Sequence, residues 1–216
     1  MAYQRLTLNL SHYPHVLAFI RGPLETLYFN DVHNMLRLPL KEQGLTAGCN
    51  FAMAHVLLAA VSGLSTTLYQ PSRKKRGTYE YAFVGALVDL YPWDLEPNAP
   101  INKKERREGA KALYDEFRGP LTHRLGLWTN QRRSAHGASL GYALKIKRLT
   151  QPNGNGLSED MIVTLETSSA WPFAAMKGSL QVRSDAKVLK LERFYWGIRQ
   201  MVTRLASSFS TPHRAM

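Results

Sequence analysis

Apolar residues at Ala110, Leu113, Phe117, Leu121, Leu125 and Trp128 recur at steps of three and four. That spacing predicts an amphipathic helix over residues 111–128 with one stripe turned to a core. Upstream, Val16, Phe19, Ile20, Leu24, Leu27 and Tyr28 fall on one face of a helix opening near Pro14. Gly22-Pro23 should kink or split it, because proline removes a backbone donor. The pattern continues as helix over residues 26–38 and ends before Pro39. Residues 79–91 predict another helix, with Tyr79, Phe83, Leu87 and Leu90 as its stripe. Residues 92–100, with three prolines, read as a linker, and Asn102 is a fair N-cap for the helix that follows. Residues 1–13 alternate weakly at Leu6, Leu8 and Leu10, as a short strand or extended arm would.

Residues 44–70 are the most hydrophobic stretch, with no charge between Glu42 and Arg73. The length would span a bilayer. Asn50, His55, Ser62, Ser65, Thr66 and Thr67 interrupt it and no second such segment exists, so a central buried helix is the preferred reading. After the polar, turn-rich residues 129–141, segments 142–149 and 161–167 carry the β-branched and aromatic content of strands. The Asn-Gly pairs between them mark a turn, which predicts a β-hairpin. Val188, Leu191, Phe194, Tyr195, Ile198, Val202 and Leu205 then define a terminal helix over residues 187–209. The fold class expected is mainly α: a helical bundle with a β-hairpin before the C-terminal helix. It forms one domain over 1–216, divided into a bundle core (1–128), a polar loop and hairpin (129–186) and the terminal helix. No internal repeat of structural meaning stands out, although Arg-Gly-Pro-Leu occurs twice, at Arg21 and at Arg118.

Composition narrows the function classes. With 216 residues, 44% hydrophobic and 20% charged, the chain is globular and can bury a sizeable core. A net charge of +12 points to a polyanionic partner, nucleic acid or an anionic membrane surface. Cys49 is the only cysteine, which excludes an intrachain disulfide and a zinc-thiolate cluster and suits a reducing compartment. The N-terminal stretch lacks the apolar core of a signal peptide, so a cytoplasmic location is expected and a membrane partner is disfavoured. His12 and His15 have no nearby carboxylate or cysteine cluster, and there is no phosphate-binding glycine loop, nucleophile elbow or zinc spacing. No metal and no cofactor are assigned.

The candidate chemistry lies on the 111–128 helix. Arg118 offers a fixed, always-charged fork for a phosphate, and His123 can exchange a proton near neutral pH. Arg and His at such spacings also arise by chance, and Arg5–His12 is a second instance in a weaker context. Five residues of ideal helix leave two side chains about 140° apart, so a kink at Gly119-Pro120 would be needed to aim both at one phosphate. The bland alternative pairs Arg118 with Asp115 or Glu116 and leaves His123 at the surface. Three basic groups could carry an RNA backbone: Arg73, Lys74, Lys75 and Arg76; Lys103, Lys104, Arg106 and Arg107; and Arg132 with Arg133. Each alone is more commonly a solvated loop. Tyr79, Trp93 and Trp128 are candidates for base stacking, and His136 is a weak second candidate for proton transfer.

The segment LYDEFRGPLTH, Leu113 to His123, resembles the signature of HEPN-domain proteins, as does the order of elements around Gly48, Cys49, Asn50, Phe51 and Tyr91. That resemblance implies an α-helical bundle whose homodimer brings two Arg/His motifs into one cleft that cuts RNA without a metal. Arg118 would hold the scissile phosphate and its developing charge. His123 would assist attack by the ribose 2′-OH or protonate the departing 5′ oxygen. The products would be a 2′,3′-cyclic phosphate and a 5′-hydroxyl, and a defence or toxin–antitoxin setting with a separate antitoxin or regulatory partner is implied. The position after the Arg is commonly polar in active members and is Gly119 here. The alternative is a non-catalytic HEPN-like module that binds RNA or protein. A third, weaker reading is membrane association through residues 44–70.

Overall fold

The computed structural model describes residues 13–39, 49–68, 78–93, 102–124, 132–133, 139–140, 145–147, 149, 151, 153–165, 172–173 and 188–210. The first helical run comprises α1 (Tyr13–Phe19), a π-helical stretch π1 (Ile20–Phe29) and α2 (Asn30–Arg37), and stops short of Pro39 as expected. Its buried positions are Val16, Ile20, Leu24, Phe29, Val32 and Leu36. The one five-residue step, Leu24 to Phe29, falls inside π1, where i→i+5 hydrogen bonding widens the turn around Pro23. The widened turn advances the buried face by one residue. Leu27, expected in the stripe, is therefore 58% exposed and Phe29 replaces it.

The second run has the same construction. Asn102 caps α5 (Lys103–Ala112) through a reciprocal capping box: its Oδ1 accepts the Glu105 N–H at 3.0 Å, and Glu105 Oε2 accepts the Asn102 N–H at 2.9 Å. A second π-helical stretch, π2 (Leu113–Arg118), leads into α6 (Gly119–Arg124), and the Gly119 N–H reaches back five residues to the Tyr114 carbonyl. Ala110, Leu113, Phe117 and Leu121 are buried along one stripe, as the spacing predicts; Leu125 and Trp128 lie outside the described residues. Both copies of Arg-Gly-Pro-Leu thus mark a widened helical turn. The repeat has a local structural meaning that its isolation in the sequence concealed.

α3 (Asn50–Leu68) is the centre of the bundle and packs against α4 (Thr78–Leu90), α8 (Leu191–Ser210), α1 and α2. Met53, Leu57, Val61, Leu64 and Leu68 are buried, while Phe51, His55, Ala59 and Gly63 face outward. By length and composition alone it is the one helix among the described residues that could cross a membrane. On α4 the buried face is Ala82, Phe83, Val84, Ala86 and Leu87. Tyr79, expected in the stripe, is 57% exposed, because alanines on this helix serve the core as well as larger side chains do. The prolines after α4 do not make a surface linker at once: Tyr91, Pro92 and Trp93 are buried, and Trp93 Nε1–H donates to the Leu87 carbonyl at 2.7 Å. Buried residues of the helices from α1 to α8 form one hydrophobic cluster.

The predicted hairpin is where the chain departs most from its pattern. Gln151–Gly154 does turn, with Gly154 at φ +82° and its N–H on the Gln151 carbonyl at 2.9 Å. The second arm, however, is a helix, α7 (Glu159–Leu165). Ser158 accepts the Met161 N–H on Oγ and the Ile162 N–H on its carbonyl, and Glu159 and Asp160 fill the first turn. Ser-Glu-Asp is a helix-start signal that outweighs the β-branched content behind it. The strand from the first arm, β3 (Lys145–Lys147), instead pairs in parallel with β4 (Val188–Lys190), so the terminal helix opens at Leu191 and not at 187. A short antiparallel pair, β1 (Arg132–Arg133) with β2 (Ser139–Leu140), precedes it.

Candidate functional site

Arg118 is the last residue of π2 and is half-buried. Two groups fix its guanidinium. Its Nε–H donates to Ser62 Oγ on α3 at 3.4 Å, and its Cζ lies 5.2 Å from the centre of the Tyr114 ring. Ser62 donates its own hydroxyl proton to the Leu58 carbonyl at 2.9 Å, which leaves oxygen lone pairs for Arg118. Tyr114 is held in turn by an edge-on contact with Phe83 at 5.4 Å. The bland alternative for Arg118 does not form with Asp115, whose carboxylate takes Lys111 at 2.9 Å while Lys111 also reaches Glu80 at 2.8 Å. Those two hydrogen bonds, Glu80 first and Asp115 second, hold the Lys111 ammonium well above its usual range. Among the described residues, no carboxylate lies within ion-pair distance of Arg118.

His123 sits on the backbone of α6, one continuous helical run from Arg118, and its imidazole lies outside the described side chains. The basic group at Lys103, Lys104, Arg106 and Arg107 occupies the first turns of α5, with Lys103, Lys104 and Arg107 exposed. At 1.5 Å per residue this group stands roughly 16–23 Å along the helical run from Arg118. Arg73, Lys74, Lys75 and Arg76 lie outside the described residues, as do the side chains of Arg132 and Arg133. Of the stacking candidates, Trp93 is 1% exposed and closed to bases, Tyr79 is exposed, and Trp128 is outside the described residues, as are His12 and His136.

Sequence reasoning did not name Tyr114 or Ser62 as supports. Tyr114 was within reach, since residues four apart on a helix are neighbours and an Arg stacks on an aromatic face. Ser62 was not, because only the packing of α3 against π2 brings it to Arg118. The other copy of the tetrapeptide is built differently: Arg21 is exposed and lines a groove between π1 and α8 with Glu25, Val202, Thr203 and Ala206.

Comparisons with protein-family models, curated proteins and solved structures find no match to the chain.

Proposed function

We propose that the protein is a metal-independent endoribonuclease that acts as a homodimer, with Arg118 and His123 as its catalytic residues. The observation that carries this reading is the setting of Arg118: a guanidinium held by Tyr114 and Ser62 on a widened helical turn, with its local acid, Asp115, committed elsewhere. Such a fork is pre-positioned for a phosphate and not consumed by internal pairing. The ribose 2′-oxygen attacks phosphorus, the bond from phosphorus to the 5′ oxygen breaks, and the 2′-hydroxyl proton is removed as a proton is delivered to the leaving oxygen. Arg118 stabilises charge on the non-bridging oxygens, and His123 handles a proton. The net charge of +12 supplies the attraction for the polyanion.

The test is cleavage of mixed RNA in EDTA by wild type, Arg118→Ala and His123→Ala. Fragments with 2′,3′-cyclic phosphate ends, lost in both variants, are expected. RNA binding that survives both substitutions, with no cleavage by wild type, would instead identify a non-catalytic binding module.

A further inference from the structure

Along the helical run that carries Arg118, the residues Lys111, Asp115 and Arg118 stand at steps of four and three. Side chains at both steps are neighbours on a helix, so Asp115 has a base within reach on either side, whereas Glu116, two positions from Arg118, does not face it. Arginine is the stronger competitor for a carboxylate, because its planar fork offers two parallel hydrogen bonds and an ammonium does not. The lysine nevertheless holds Asp115: its Nζ lies 2.9 Å from Asp115 Oδ2. Arg118 spends its Nε–H on Ser62 Oγ at 3.4 Å and stacks on Tyr114, with no acid taken up.

The choice is made from α4. Glu80 Oε1 accepts a hydrogen bond from Lys111 Nζ at 2.8 Å, so the ammonium is anchored between a carboxylate of α4 and one of π2. This clasp adds little to folding. Lys111 is exposed and its two acids are only half-buried, a setting in which ion pairs contribute little. The contact between α4 and π2 rests instead on the Phe83 ring against Tyr114 at 5.4 Å, beside buried Leu113 and Phe117. Removing the Lys111 charge would leave that packing in place and release Asp115.

We infer that Lys111 is a positioning residue for the Arg118 site: by holding Asp115, with Glu80 as its anchor, it keeps the Arg118 guanidinium open to a phosphate. Without that charge, Asp115 turns to Arg118 and occupies it as a tethered anion that an RNA phosphate must displace. The consequence for RNA rests on the cleavage reading above; the pairing of Asp115 is tested without RNA.

The first measurement is the rate at which phenylglyoxal, a reagent for guanidinium groups not engaged by a carboxylate, labels Arg118 in the full chain, read by peptide mass spectrometry. Wild type, Lys111→Met, Asp115→Asn and the double variant are compared, with circular dichroism as the check on folding. Labelling should slow about threefold in Lys111→Met, the scale of a partly exposed ion pair, and return to the wild-type rate in the double variant. Asp115→Asn alone should label as wild type does. Lys111→Gln, which retains a polar head at this exposed position, gives the same readings should Lys111→Met not fold. Unchanged labelling in the Lys111 variant overturns the inference. So does a double variant that departs from wild type as far as the single one, since loss of a merely structural clasp is not repaired by removing the acid.

In RNA cleavage, kcat/KM should follow the same order, about threefold lower in Lys111→Met and restored both by adding Asp115→Asn and by Lys111→Arg in its place. An active enzyme whose kcat/KM does not fall while labelling slows would overturn the positioning role. If wild type cleaves no RNA and labelling follows the expected order, the nuclease falls and the pairing stands. If wild type cleaves RNA and labelling is unchanged in Lys111→Met, the pairing falls and the nuclease stands.

Discussion

The phenol of Tyr91 rests against the backbone of Gly197, in the space that a side chain at 197 would occupy. Tyr91 also packs on Trp93 at 4.7 Å and on Phe194 at 6.3 Å, so the contact joins the end of α4 to α8 at the core. Gly197→Ala should destabilise the chain by about 1–3 kcal/mol, the usual cost of overpacking, as read by urea denaturation. The hydroxyl is the nearest obstacle, so Tyr91→Phe in the Gly197→Ala background should recover part of the loss. Equal stability of wild type and Gly197→Ala would mean that α8 does not approach this closely.

Arg118→Lys keeps the charge but loses the planar fork and its stacking on Tyr114. On the nuclease reading, cleavage should fall about 10²-fold while the fold survives, as seen by circular dichroism. Tyr114 acts through Arg118. Tyr114→Leu should lower kcat with KM close to wild type, and Tyr114→Phe, which retains the ring face, should restore it. A Lys variant as active as wild type would show that charge alone suffices and that the stacked geometry is incidental.

The bundle was legible because its helices obey simple periodicity: Ala110, Leu113, Phe117 and Leu121 are buried where spacing places them, and Asn102 caps as its side chain allows. Two things were hidden. The strand content of 161–167 is overridden by the N-cap at Ser158, a local hydrogen-bond effect that hydrophobic pattern does not register. β3 meets β4 across forty residues of sequence, a pairing that no local turn signal announces. The same limit applies to the site. Arg118 and His123 could be nominated from spacing, but Ser62 enters only through the packing of α3.

Glu192 gives the chain a pH dependence of unusual sign. Burial is the largest influence and raises its carboxyl; N–H bonds from its own backbone and from Leu149, with the charges of Lys190 and Arg193, oppose it without cancelling it. The folded chain therefore retains a proton at pH values where the unfolded chain, with a carboxyl near about 4.3, has released it. Where the folded state binds more protons, stability falls as pH rises. Urea midpoints should decline from about pH 4.5 towards neutrality. In Glu192→Gln that component of the slope should be absent; parallel profiles for the two proteins would show that Glu192 is not the group responsible.

The π1 turn makes opposite demands on two neighbouring apolar residues. Leu27 points to solvent, whereas Phe29 is 1% exposed, meets the Tyr195 ring edge-on at 5.9 Å, and has Arg199 stacked over it at 5.6 Å. A regular α-helix through Pro23 would instead keep the four-residue rhythm of Val16, Ile20 and Leu24 and bring residues 27 and 28 to the core. The two geometries predict contrary mutational costs. With the widened turn, Phe29→Ala should cost about 3–5 kcal/mol and Leu27→Ala should stay within about 0.5 kcal/mol. A costly Leu27→Ala beside a tolerated Phe29→Ala would place the register one residue earlier. It would also undo the explanation of why Arg-Gly-Pro-Leu recurs, since the first copy would then sit in an ordinary kinked helix and only Arg118 would stand on a widened turn.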